Sequence, residues 1–248
     1  MPRLDAIIAH NLGLSRKQVV RLLRAGRVSD EAGARLDDPR LRVTPSELPR
    51  TISIDGEPVC LFERYDLVLH KPLGVVTALR DERHPTAYDL VQDAPLARDL
   101  RAVGRLDKET SGLLLWTTDG TLLHRLTHPR YAVPRTYHAA LSGPWIPPPD
   151  DLVLDDGHRP RIEVLLPLSA EHIHPALHRP EPATVFATIT VTTGRFHEVR
   201  RIFAALQTEV LALCRVQYGP VVLPQDLEPG EWRAFDLHAA FHGMHPKT

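Results

Sequence analysis

Asp107 stands in a turn bounded by glycines, Gly104-Arg105-Leu106-Asp107-Lys108-Glu109-Thr110-Ser111-Gly112, that runs into the apolar Leu113-Leu114-Leu115-Trp116. A carboxylate on a loop held by a buried strand can carry catalysis, or it can simply bond the local backbone. A second segment, Arg135-Thr136-Tyr137-His138-Ala139-Ala140-Leu141, alternates as a strand does. Tyr137 there is either packing or a platform for an unstacked base, with a hydroxyl free to exchange a proton. In the third, Gly194-Arg195-Phe196-His197-Glu198-Val199-Arg200-Arg201, cations fall in the first turns of a helix, where the macrodipole disfavours them. They need a structural carboxylate or a functional anion to explain them.

The elements that must position these segments follow from apolar spacing. Leu67-Val68-Leu69-His70 reads as a strand, and so does the stretch from Val185 to Val191, ended by Gly194. Val199, Ile202, Phe203 and Leu206 share one face of a helix. From Ser142 to Ala183 the chain carries nine prolines and reads as a loop-rich, variable excursion.

Ahead of these lies a smaller region. Leu4, Ile7 and Ile8 form one helical stripe, Gly13 can end that helix, and Ser15 can cap the next. On the second helix Val19, Leu22 and Leu23 face inward, while Lys17, Arg21 and Arg24 line a different face. With Arg3, Arg16 and Arg27, these make six cations against Asp5 alone in the first 28 residues, a local excess hidden by the net charge of −1. Short strands separated by turns follow from Val28 to Asp55. The reading is a small domain over 1–57 and a larger one over 60–240, with 142–183 as the excursion.

Hydrophobic residues at 43% and charged residues at 25% describe a globular protein, and no apolar run approaches a membrane span. Two distant cysteines and the absence of a signal-like start point to the cytoplasm. The last residues, from Gly243 onward, are expected to be disordered.

Taken in order, the GRLDxxTxGLLL stretch, the basic-x-Tyr strand and the GRxHxVRRxFAALxxxVxxLxR run closely resemble the pseudouridine synthases that modify ribosomal RNA. His70-Lys71-Pro72-Leu73-Gly74-Val75 and Pro229-Gly230-Glu231-Trp232-Arg233 fit the same family, and the N-terminal region resembles its S4-type RNA-binding domain. The resemblance implies an α+β protein. Its small S4 (αL-like) domain would precede a catalytic domain on a mixed, mostly antiparallel sheet.

It also implies an isomerase that needs no cofactor, since nothing is oxidised and no group leaves. Asp107 would start the reaction as an ionised carboxylate, with Arg200 supplying positive charge beside it. Tyr137 would stack on the uracil and move the proton leaving C5. Arg105 and Val199 would contact the substrate, and Arg3, Arg16, Lys17, Arg21, Arg24 and Arg27 would hold the RNA backbone.

Arg80-Asp81-Glu82-Arg83-His84-Pro85-Thr86 resembles the corresponding segment of family members acting on 16S rRNA. The expected partner is therefore 16S rRNA in a pre-ribosomal particle, approached by a monomer. Large-subunit 23S rRNA is the alternative substrate. Glu198 departs from a common Gln and could compete for the charge of Arg200; Glu109 and Arg135 stand for a commoner Asp and Lys. Two other classes of function compete with this reading. One is a non-catalytic RNA-binding protein, against which Asp107, Tyr137 and Arg200 speak together. The other is a metal-dependent hydrolase using His172, His174 and His178, a weak ligand set beside Pro175; no metal is expected.

Overall fold

The computed structural model describes residues 1–181 and 185–245. The elements in chain order are α1 (Leu4–Leu12), α2 (Arg16–Arg24), β1 (Val28–Asp30), β2 (Arg50–Ile54), β3 (Glu57–Leu61), β4 (Asp66–Lys71), β5 (Arg101–Ala102) and β6 (Thr110–Thr117). There follow α3 (Gly120–Thr127), β7 (Arg135–Leu141), β8 (Ile162–Pro167), β9 (Val185–Val191), α4 (Glu198–Ala205), β10 (Val210–Tyr218), β11 (Val221–Val222), β12 (Trp232–Ala234) and α5 (Leu237–Ala240). Among the described residues, no helix is long and apolar enough to cross a membrane.

Two compact units result. The first comprises Met1–Tyr65 with Asp93–Leu100, and the second comprises Asp66–Gln92 with the chain from Arg101 onward. The first unit thus takes in 93–100, beyond the span of 1–57 read from the sequence; there His10 Nε2 meets Asp99 Oδ2 at 2.7 Å. Its β1-β2-β3 sheet is antiparallel. Leu4, Ile7, Ile8, Val19 and Leu23 from the helices bury against Val28, Ile52 and Leu61. Gly13 ends α1 at φ 63°, and Ser15 and Gln18 form a reciprocal capping box on α2.

In the second unit the strands lie in the order β12-β4-β6-β10-β7-β9-β8, with β5 on β6 and β11 on β10. Among the described residues, β6 and β10 are the strand pair that runs parallel; the remaining strand pairs are antiparallel, giving the mixed sheet of an α+β fold. β6 is buried along its whole length, which is why its centre, Leu113 to Trp116, is continuously apolar rather than alternating.

The excursion, read as loop-rich, also contributes to the sheet and core. Within it β8 adds an edge strand to the sheet, and Ile173 and Leu177 join the main core. Its apolar residues did not read as a strand because the edge leaves Val164 37% and Leu166 55% exposed. Residues 182 and 183 of the excursion lie outside the described residues. The expected disorder from Gly243 is also corrected in part. Met244 packs on the core and its carbonyl accepts from Arg125 Nη2 at 2.7 Å, while 246–248 lie outside the described residues.

Candidate active site

The loop between β5 and β6 carries Asp107, and hydrogen bonds hold its backbone at Val103, Leu106, Asp107 and Lys108. Val103 N–H donates to Leu115 O at 2.7 Å, and Gly74 N–H donates to Lys108 O at 2.9 Å. The Thr77 hydroxyl accepts from Leu106 N–H at 3.0 Å and donates to Leu106 O at 2.8 Å. Thr110 N–H closes the turn onto Asp107 O at 3.0 Å. A group held this way loses little entropy on meeting a substrate.

Gly112, at φ 108°, lets the backbones of β6 and β10 approach: a Cβ there would stand 2.3 Å from Arg215 O. On the far side of β10, Arg215 is in register with Tyr137 of β7. The antiparallel neighbour β9 then leads through Gly194 into α4, whose first turn carries Val199 and Arg200.

These elements enclose a cavity of about 390 Å³ lined by Arg105, Asp107, Tyr137, Val199 and Arg200 among others. All five residues assigned to catalysis or substrate contact from the sequence therefore share one space. The six cations assigned to RNA binding, Arg3, Arg16, Lys17, Arg21, Arg24 and Arg27, belong to the first unit.

Arg200 is engaged differently from the expectation. Its guanidinium donates to Val210 O and Glu109 O, both at 2.9 Å, so it ties α4 to β10 and to the Asp107 loop. Among the described residues, the basic side chain within 4 Å of the Asp107 carboxylate is His197, at 3.6 Å. Glu198 does not compete for Arg200. It is 4% exposed, and its Oε1 meets His158 Nε2 at 2.9 Å while Oε2 has no hydrogen-bond partner among the described residues.

The sequence alone gave no role to Phe196, His197 and Arg215, which line the cavity, or to Lys71, which bonds to the lining Thr110. Phe196 is 76% exposed and stacks on His197 with ring centroids 3.8 Å apart, an apolar face ready for a base. Arg215 is fully buried, with Nε donating to Leu113 O at 2.8 Å and Nη2 without a hydrogen-bond partner among the described residues. Lys71, also fully buried, donates to Pro72 O at 2.9 Å and Thr110 O at 2.8 Å. Burial pushes its ammonium down to about 8, against the opposing attraction of Asp107 and Glu109. A lysine closely following the apolar run Leu67-Val68-Leu69 was the available signal.

The three histidines weighed as metal ligands do not converge. His172 and His178 are exposed, and His174 is buried with Nε2 at Leu223 O, 3.1 Å away. Among the described residues, no three His, Cys, Asp or Glu side chains form a ligand set.

Residues 65–205 match the RNA pseudouridylate synthase family, and the chain belongs to that family. It is an isomerase acting on uridine in RNA. Over 235 residues it is 37% identical to the ribosomal small subunit pseudouridine synthase A of Yersinia pestis, covering 93% of each chain. The enzyme of that name from Escherichia coli K12 is 35% identical over 237 residues, covering 93% of this chain and 95% of the relative. A crystal structure of a pseudouridylate synthase superposes with a TM-score of 0.57 at 28% identity, over 97% of this chain and 98% of the other.

Proposed function

We propose that this chain isomerises one uridine of 16S rRNA to pseudouridine, acting as a monomer in the cytoplasm on a pre-ribosomal particle. The substrate assignment rests on the names of relatives that match along nearly the whole length of the chain. The observation that carries the chemistry is the convergence of Asp107, Tyr137 and Arg200 on one cavity.

In this reading the target nucleotide leaves its stack, at a cost of a few kcal/mol, and Arg105 fills or holds the gap. Asp107 starts the cleavage of N1–C1′. The uracil turns, C5 bonds to C1′, and the proton lost from C5 is balanced by one gained at N1. Tyr137, 9% exposed, stacks on the base and relays the C5 proton, its hydroxyl passing one proton on as it takes the other up. Arg200 acts by holding the Asp107 loop through Glu109 O. Val199 closes the apolar side of the cavity.

The first unit would serve as an S4-type RNA-binding domain. Its exposed Lys17, Arg21 and Arg24 support that role, because they leave a row of cations on α2 for phosphates.

The test is a map of every rRNA pseudouridine, by carbodiimide primer extension, in a strain lacking the protein. One 16S site should vanish and return with the wild-type gene but not with Asp107→Asn. Loss of a 23S site would reassign the substrate. No lost site would overturn the reading.

A further inference from the structure

Next to the cavity runs a groove of about 760 Å³, and its charge is one-sided. Arg130, Arg159, Arg161 and Arg195 line it with His128, and Arg135 and Arg195 line both spaces. No Asp or Glu is among its described lining residues. In a chain of net charge −1, so many guanidinium groups along one trough is a concentrated excess.

Internal partners do not account for that charge. Arg159 and Arg161 are exposed, and neither side chain has an acid or carbonyl partner among the described residues. Arg130 donates to the Tyr131 hydroxyl and lies over its ring, 4.8 Å from the centroid, which leaves its charge unbalanced. Arg135 donates to Thr193 O and the Tyr218 hydroxyl, both neutral. Two acids stand beside that lining: Glu198, whose Oε1 meets Nε2 of the lining His158 at 2.9 Å, and Asp156, which meets Arg195 at 3.5 Å but Arg201 at 2.7 Å. Those partners, the Arg201 hydrogen bond first, hold the Asp156 carboxyl down at about 2. Its charge is committed to the loop and helix it joins.

We infer that this groove binds the sugar–phosphate backbone of the RNA strand flanking the target uridine. The inference rests on the RNA-modifying function proposed above and extends it to a second contact surface. An RNA strand is the occupant favoured because the groove opens into the cavity that must receive a nucleotide from that same strand. Arg159 and Arg161 come from the excursion, just ahead of β8, so this part of the chain acquires a role: it supplies one wall of the RNA path. Binding of this kind uses charge rather than base edges, and its signature is a steep salt dependence.

The experiment measures the dissociation constant of unmodified, protein-free 16S rRNA transcript by filter binding between about 50 and 200 mM salt. Wild type is compared with R159A/R161A and with R159K/R161K. Removing two phosphate contacts should weaken binding and lower the magnitude of the log–log salt slope by roughly 1.4 to 1.8. The lysine pair keeps the charge and should keep the wild-type slope, which a merely structural role for the arginines would not ensure. An unchanged slope in the alanine pair overturns the inference, and is also the result if an acidic protein rather than RNA fills the groove. A lysine pair as weak as the alanine pair overturns it too. Pseudouridine formation by wild type is followed in the same transcript. Its absence there and in a pre-ribosomal particle, with a reduced slope, would sink the 16S assignment and leave the groove standing; its presence with an unchanged slope would sink the groove alone.

Discussion

His197 Nε2 lies 3.6 Å from Asp107 Oδ1, and the histidine reaches that position from a left-handed backbone, φ 51°, just before α4. Phe196 stacks on the same ring, so the imidazole is held between an aromatic face and the carboxylate. Asn tolerates the left-handed region well, so His197→Asn removes the ring while keeping the turn. If His197 orients Asp107, kcat for pseudouridine formation should fall about tenfold, the loss of roughly 1.4 kcal/mol of transition-state stabilisation, with a smaller change in KM. Melting temperature should stay within a few degrees. An unaltered kcat would mean that the loop bonds alone hold Asp107.

Lys71 gives the stability of the protein a marked alkaline dependence. Its folded value near 8 lies below the 10.5 of an exposed lysine, because burial disfavours the ammonium. Between those values the unfolded chain keeps a proton that the folded one has shed, so this group adds stability as pH rises from about 8 to about 10.5. Lys71→Met keeps the volume and removes the titration. Urea midpoints should therefore rise less with pH for the variant than for wild type. Parallel curves would show that Lys71 keeps an ordinary affinity for its proton.

The sheet and its neighbouring helices were legible because their signals are local. Leu113 to Trp116, the alternation around Val185 to Val191 and the face of Val199, Ile202 and Phe203 all follow from periods of two or 3.6 residues. Asp107, Tyr137 and Arg200 were legible only together, through the order of three motifs, since each alone has an ordinary structural explanation. What could not be read was pairing across long distances. That β8 adds to β9, that Arg200 reaches Glu109 O, and that His158 meets Glu198 are consequences of topology. Partners 40 to 91 residues apart leave no periodic trace.

Two glycines of positive φ should respond differently to alanine. At Gly112, φ 108°, a Cβ would lie 2.3 Å from Arg215 O and 2.7 Å from Arg215 N, both backbone atoms in the paired strand. Neither can yield without breaking the β6–β10 register, so Gly112→Ala should cost about 3 kcal/mol or more, or prevent folding. At Gly74, φ 80°, a Cβ would meet nothing within 4 Å, and only conformational strain of about 1 kcal/mol is expected. Denaturation midpoints of the two variants provide the comparison. Equal losses would remove the close-approach argument for Gly112.

The six cations of the first unit divide into two groups with opposite expected effects. Arg3 and Arg16 both pair with Asp5, at 3.0 and 2.9 Å, and Asp5 is only 1% exposed. Arg27 pairs with Asp55 at the surface. Lys17, Arg21 and Arg24 are exposed and have no acid partner among the described residues. Removing both Arg3 and Arg16 would strand a buried carboxylate, so the double alanine variant should lose about 3 kcal/mol or more of stability. Lys17→Ala with Arg21→Ala should leave stability within about 0.5 kcal/mol. If α2 meets phosphates, that pair should also flatten the salt dependence of RNA binding by one to two units. Chemical denaturation and filter binding on the same preparations separate the outcomes. A flat stability response in the first variant would show that Asp5 is satisfied without its arginines, and an unchanged salt slope in the second would move the RNA contact off α2.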